Sequence, residues 1–145
     1  MTSSAIPARE NRWLRAAGYG LLAEVLTVLT IIAIVMGYRY LFARGMSEAD
    51  YAAFGVRTGR IVGTAGGTIY TFLFARLLMP RVASHFVEHG TVVAAAAIAF
   101  SVGGSVVGHQ GVPDGYLLAS LLKLGAGALA GFLYSRSVSG NHSAV

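Results

Sequence analysis

Two ionisable residues stand inside long apolar stretches of the sequence, and these carry its most legible chemistry. Glu24 lies between Arg15 and Arg39, just before the run Val25-Leu26-Thr27-Val28-Leu29-Thr30-Ile31-Ile32-Ala33-Ile34-Val35-Met36, and Lys123 follows Leu121-Leu122 in the last apolar stretch. A charge within a membrane span costs about 2.5–3.5 kcal/mol on insertion scales and is usually met by a partner or by water. At 1.5 Å rise per residue, Glu24 lies about 14 Å beyond Arg15, and Lys123 about 20 Å before Arg136. If both arginines mark the same membrane surface, the heights differ by about 6 Å, a gap a lysine stem can cover. Glu24 and Lys123 are therefore expected to form an intramembrane polar pair, with Arg76 as an alternative partner for Glu24. Two roles remain open for the pair. It can fix the register of two helices, or it can be the polar midpoint of a solute or proton path, with Glu24 as an exchangeable carboxylate. Thr27, Thr30, Thr64, Thr68, Thr71 and Ser101 are placed to line such a path, and can equally bond carbonyls of their own helices.

The segment His85-Phe86-Val87-Glu88-His89 fits the H-x-x-E-H pattern of inverted zinc proteases. That chemistry needs both histidines on one helical face, the glutamate beside the metal and a third ligand elsewhere. Glu48, Asp50 and Asp114 fall at the opposite membrane surface in the topology derived below, which leaves only Glu24 for the third position. His85 and His89 are thus weak metal candidates, and a metal-dependent membrane hydrolase is a remote alternative to a non-enzymatic protein. No cofactor is expected. There are no cysteines, so thiolate ligands, disulfides and cysteine nucleophiles are excluded. The sequence holds no nucleophile elbow and no phosphate-binding glycine loop. Asn141-His142-Ser143 fits a glycosylation sequon, which has no consequence in a tail placed inside the cell.

Glycine is the other informative residue, with 19 in the chain. Gly55, Gly59, Gly63 and Gly67 follow a strict i+4 spacing, which puts them on one helical face. Gly104 with Gly108, and Gly127 with Gly131, repeat the spacing in later segments. Small stripes let helices approach closely in lipid, where expulsion of water does not drive association. These glycines are expected to form a helix-packing face within one bundle or an oligomer face toward another chain. Gly67–Arg76 also matches Gly127–Arg136 at a constant offset of 60, a pattern that fits either two parallel hairpins or shared lipid-exit chemistry.

The elements that must position these residues follow from composition and periodicity. The 145 residues are 55% hydrophobic and 12% charged, with a mean hydropathy of +0.65. A soluble domain is about 25% charged, so half of the usual polar coat is absent and lipid is the expected solvent. The formal charge of +5 comes mainly from arginines flanking apolar runs, the distribution of lipid-phosphate anchors, so no nucleic acid is expected as a partner. Four apolar stretches, at about residues 16–40, 55–79, 90–108 and 116–135, match the roughly 20 residues that cross a bilayer. The polar lead before the first is too long for a cleaved signal peptide and no A-x-A site follows. Gly45 suits a helix C-cap and Ser47-Glu48-Ala49-Asp50 a capping box, predicting a tight turn at Gly45-Met46 and a helix running from Glu48 to Met79. Pro80 stops that helix, and Gly111–Gly115 reads as a turn. Trp13, Tyr38, Tyr40, Tyr116 and Tyr134 fall at span ends, where amphipathic rings settle.

Positive charge orients the bundle. With the amino terminus inside, Arg9, Arg12, Arg15, Arg76, Arg81 and Arg136 lie at the inner face, and Arg39, Arg44, Arg57 and Arg60 at the outer one. Both termini are accordingly placed in the cytoplasm, with Trp13, Arg15, Arg76 and Arg136 as membrane anchors.

The sequence thus predicts an all-α integral membrane four-helix bundle with short loops and glycine-rich packing. Residues 1–12 form a cytoplasmic amino-terminal segment, 13–136 one four-span domain, and 137–145 a flexible cytoplasmic tail. The expected role is that of a small non-catalytic protein of a bacterial cytoplasmic membrane. Its partners would be the lipid bilayer and either its own copies, as a homo-oligomer, or another membrane protein, as an accessory subunit. The alternative is a small ion or solute transporter or channel centred on Glu24 and Lys123.

Overall fold

A computed structural model describes residues 10–108 and 115–142, and the chain folds into an all-α four-helix bundle. The first long helix comprises α1, Glu10–Gly37, continued by a π turn over Tyr38–Phe42. The second comprises α2, Glu48–Ile61, a π turn over Val62–Gly66, and α3, Gly67–Leu78, which ends in a 3₁₀ turn over Met79–Arg81. Helix α4 spans Phe86–Val107 and α5 spans Tyr116–His142. All four long helices have the length and apolar character needed to cross a membrane, the architecture of a multi-pass membrane protein.

The helix boundaries have local causes. The first helix ends at Ala43, where φ is −124°, and Gly45, two residues on, adopts φ +89°, the left-handed conformation in which glycine is at ease, and reverses the chain. Ser47 caps α2, its hydroxyl accepting from the Asp50 amide at 3.2 Å. The hairpin is tied by an Arg39–Glu48 ion pair at 2.8 Å and by Tyr38 stacked on Phe54 with centroids 3.9 Å apart. At about 1.5 Å per residue, Arg12–Phe42 is roughly 46 Å long and Glu48–Arg81 roughly 51 Å, against a hydrocarbon core of about 30 Å. These two helices are therefore longer than a single crossing of the lipid tails requires. Pro80 sits within the terminal 3₁₀ turn, where its missing N–H costs nothing.

One boundary differs from the sequence expectation. Helix α5 continues through His142, so Ser137–His142 belongs to a helix and not to a flexible tail. The Ser137 and Ser139 hydroxyls turn back onto the Tyr134 and Ser135 carbonyls, which lets a serine-rich segment stay helical. Residues 143–145 lie outside the described residues, as does the predicted turn apart from Gly115, whose φ of +83° suits a reversal.

The interior is built from small side chains, and the large apolar ones point outward. Leu29, Ile32, Leu117, Leu121 and Val107 are exposed, whereas Ala16, Ala75, Ala94, Ala97 and Ala130 are fully buried. This inversion of the soluble pattern suits lipid, where large aliphatics meet acyl chains and close backbone approach holds helices together. The core lies toward the end of the bundle at which α1 begins, where Ala16, Ala75, Leu78, Met79, Val82, Val93 and Ala130 pack with Tyr19, Phe72, Phe86 and Tyr134. The tightest crossing joins α4 to α5. A β-carbon on Gly90 would fall on the Gly127 carbonyl, one on Gly127 on the Gly90 carbonyl, and one on Gly131 on the Phe86 carbonyl. Helix α3 packs against α1, α4 and α5, while α2 keeps its main contact with α1. The bundle is consequently closed in the half where α1 begins and parted in the half that holds the α1–α2 hairpin.

Candidate functional site

Helices α1 and α5 bring Glu24 and Lys123 together, Nζ of the lysine donating to Oε2 of the glutamate at 2.5 Å. Both residues are buried, at 5% and 4% exposure. Register explains the meeting. The two sites lie at similar depth in helices that pack on a common neighbour, α3, and the lysine stem passes over Gly67, the residue at which α3 begins. A β-carbon at Gly67 would stand 2.7 Å from Lys123 Cε, so glycine there makes room for the stem. Thr27 and Thr71 are buried beside this layer, their hydroxyls bonded to the Ala23 and Gly67 carbonyls at 2.8 and 2.7 Å. Arg76 does not serve as the partner of Glu24; its guanidinium stacks over the Tyr134 ring at 5.4 Å.

Beside the pair, the parted half of the bundle holds an open cleft of about 780 Å³. Glu24, Thr27, Val28 and Ile31 line it from α1, and Gly55, Val56, Gly59, Arg60, Gly63 and Thr64 from the second long helix. Phe100, Ser101, Gly104 and Ser105 contribute from α4, and Tyr116, Ala119 and Lys123 from α5. The ion pair lies at the end of this cleft nearest the closed core. Tyr116 braces the opposite end, its hydroxyl donating to the Ile98 carbonyl at 2.9 Å. Of the hydroxyl residues considered from the sequence, Thr27, Thr64 and Ser101 line the cleft. Thr30 instead joins α1 to α3, its hydroxyl 3.0 Å from that of Tyr70, and Thr68 turns to the Thr64 carbonyl.

The predicted glycine face separates into two kinds of position. Gly67, Gly127 and Gly131 are sites of close approach. At Gly55, Gly59, Gly63 and Gly104 a β-carbon would meet nothing within 4 Å, and all four line the cleft, as does Gly108. The reason lies in the backbone. The i+4 spacing was read on a straight helix, but the π turn over Val62–Gly66 inserts a wider turn between Gly63 and Gly67. The stripe therefore borders the cleft down to Gly63, and Gly67 enters the core. π turns inside α-helices recur at functional sites.

The H-x-x-E-H segment does not present two histidines on one helical face. His85 is the left-handed residue before α4, at φ 58°, and its Nδ1 pairs with Glu88 Oε1 at 3.0 Å. His89 is buried at 4% exposure, stacked on Trp13 with centroids 4.1 Å apart, and its Nδ1 donates to the His85 carbonyl at 2.9 Å. Among the described residues no group of three or more His, Asp or Glu side chains is placed to hold a metal. Trp13, expected as a lipid anchor, is thus also a packing partner of a buried imidazole. Arg136 lies over the Phe132 ring at 4.7 Å, and Arg15 is exposed.

Sequence reading missed Gly20 and Gly90, both points of backbone contact between helices. The signal was present, since Gly90, Ala94 and Ala97 repeat at helical spacing and form a narrow small-residue face. No family model, curated protein or solved structure matches this chain.

Proposed function

We propose that the protein is a small transporter or channel that admits a polar solute or ion to the cleft, with Glu24 and Lys123 as its inner polar stop. The observation that carries this reading is the placement of a buried ion pair at the end of an open, hydroxyl- and glycine-bordered cleft. A pair that only fixed helix register would need no cavity of about 780 Å³ beside it. Arg60, on the cleft wall one turn before Thr64, adds a second cation and favours solutes that carry negative or strongly dipolar groups. In this reading passage requires the Glu24–Lys123 contact to part, each group exchanging its partner for the solute or for water. The protein is assigned to a cytoplasmic membrane, with both termini inside.

A second reading keeps the role of homo-oligomeric or accessory subunit. Gly55, Gly59 and Gly63 border open space, and a helix of another chain seated on them would close the cleft. One substitution separates the two. Gly59→Leu fills the cleft without meeting a neighbour, so a transport protein loses flux in proteoliposomes while its size in detergent is unchanged. An assembly subunit instead shifts toward monomer on sizing. Glu24→Gln completes the test: flux equal to that of the unaltered protein would end the transport reading.

A further inference from the structure

A second pocket, of about 250 Å³, lies between the start of α1 and the connection from α3 to α4, lined by Arg12, Trp13, Ser84, His85, Glu88 and His89. It is separate from the Glu24–Lys123 cleft and shares no residue with it. Its volume is below the roughly 300–1,000 Å³ of sites for drug-sized molecules, which suits a small polar group.

The chemistry of its wall is specific. Nδ1 of His89 donates to the His85 carbonyl, which makes Nε2 an acceptor in the neutral ring. Nε2 is buried and has no hydrogen-bond partner among the described residues. An orphaned buried acceptor costs free energy, and such an atom calls for a donor from outside the chain. Glu88 supplies a second acceptor, its carboxylate exposed and shared with His85. Arg12 supplies a cation with no carboxylate partner among the described residues. Trp13 closes one side, its ring stacked on that of His89. The wall therefore offers a guanidinium for an anion and, beside it, acceptors for an N–H donor.

We propose that this pocket binds the headgroup of an aminophospholipid, its phosphate on Arg12 and its primary ammonium on His89 Nε2 and Glu88. A trimethylated ammonium has the same charge but no N–H to give, and an anionic glycerol headgroup has no cation for Glu88. The preference is thus for the primary amine. It rests on no assumption about transport, and it stands or falls apart from the Glu24–Lys123 reading.

The full-length protein in nanodiscs containing equal amounts of phosphatidylethanolamine and phosphatidylcholine tests it, with retained lipid counted by native mass spectrometry. The expected result is about fivefold enrichment of phosphatidylethanolamine, the weight of one net hydrogen bond. His89→Phe, which keeps a ring against Trp13, should bring the ratio to unity. Arg12→Gln should lower retention of both lipids and leave their ratio unchanged. Equal retention by the unaltered protein overturns the proposal, as does stronger retention of phosphatidylglycerol in a matched mixture. Trp13 is the single tryptophan of the chain, so its emission reports on this pocket alone. A Trp13 response to soluble phosphoethanolamine in lipid-free micelles would assign the chemistry to a free aminophosphate and overturn the lipid as its source. If His89→Phe lost helix content, the ratio measured on the unaltered protein would still decide.

Discussion

Glu24 and Lys123 were recognisable as charges out of place in an apolar sequence, but recognising them is different from knowing what they are worth. A buried ion pair loses the hydration of both groups, and the attraction between them offsets this loss only in good geometry. Removing one member is worse than removing both. Glu24→Gln leaves the Lys123 ammonium buried without its counter-charge and should lower unfolding stability in detergent by about 3–5 kcal/mol. The double variant with Lys123→Met should recover most of that loss, because the unpaired charge is gone. A thermal or SDS titration of the four species measures the coupling, and additive losses would show that the two groups act independently. His89 shows the other side of residue-scale reading. Its place in a zinc-like pattern was visible, whereas the stack on Trp13 and the left-handed turn at His85 arise from packing and from how α4 begins.

At the scale of elements, the glycines divide by what stands opposite them. Where backbone faces backbone, an added methyl has nowhere to go. Gly90→Ala and Gly127→Ala should each destabilise the α4–α5 crossing by about 1–3 kcal/mol, the usual cost of overpacking. Gly63→Ala, within the π turn and facing open space, should be neutral or stabilising by up to about 1 kcal/mol through helix propensity. Denaturation midpoints of the three variants order them, and a loss at Gly63 as large as at Gly127 would place a partner against the cleft wall. The spacing of these glycines was plain in the sequence. Spacing alone does not say which stripe meets a neighbour, and a single wide turn at Val62–Gly66 is enough to send Gly63 and Gly67 into different surroundings.

At the scale of the molecule, the absence of cysteine makes topology directly measurable. Met46 lies in the hairpin between α1 and α2, and Ser84 lies at the opposite end of the bundle, between α3 and α4. In intact cells a membrane-impermeant maleimide should label Met46→Cys and not Ser84→Cys, with both labelled after permeabilisation. The reverse pattern would invert the bundle and carry the amino terminus outside. The bundle also has unequal halves. The half where α1 begins is closed by Ala16, Ala75 and Ala130 packed with Leu78, Met79 and Val93, and by the aromatic pairs Phe86–Tyr134 and Trp13–His89. The half that holds the α1–α2 hairpin is held apart because α2 leans on α1 and not on α4 or α5. A cleft with one closed end follows from that asymmetry.

Sequence alone determined the solvent, the number of spans, the cap at Ser47, the reversal at Gly45 and the depth at which Glu24 could meet Lys123. These depend on transfer free energies, helical rise and the backbone preferences of single residues, all of which are local. Only the tertiary structure decided that the ion pair ends a cleft, that the upper glycines border space while Gly90 and Gly127 touch, and that His89 is stacked and left with a free Nε2. Those facts depend on how helices lean and where one of them widens by a residue, which are properties of several segments packed together and not of any stretch of chain.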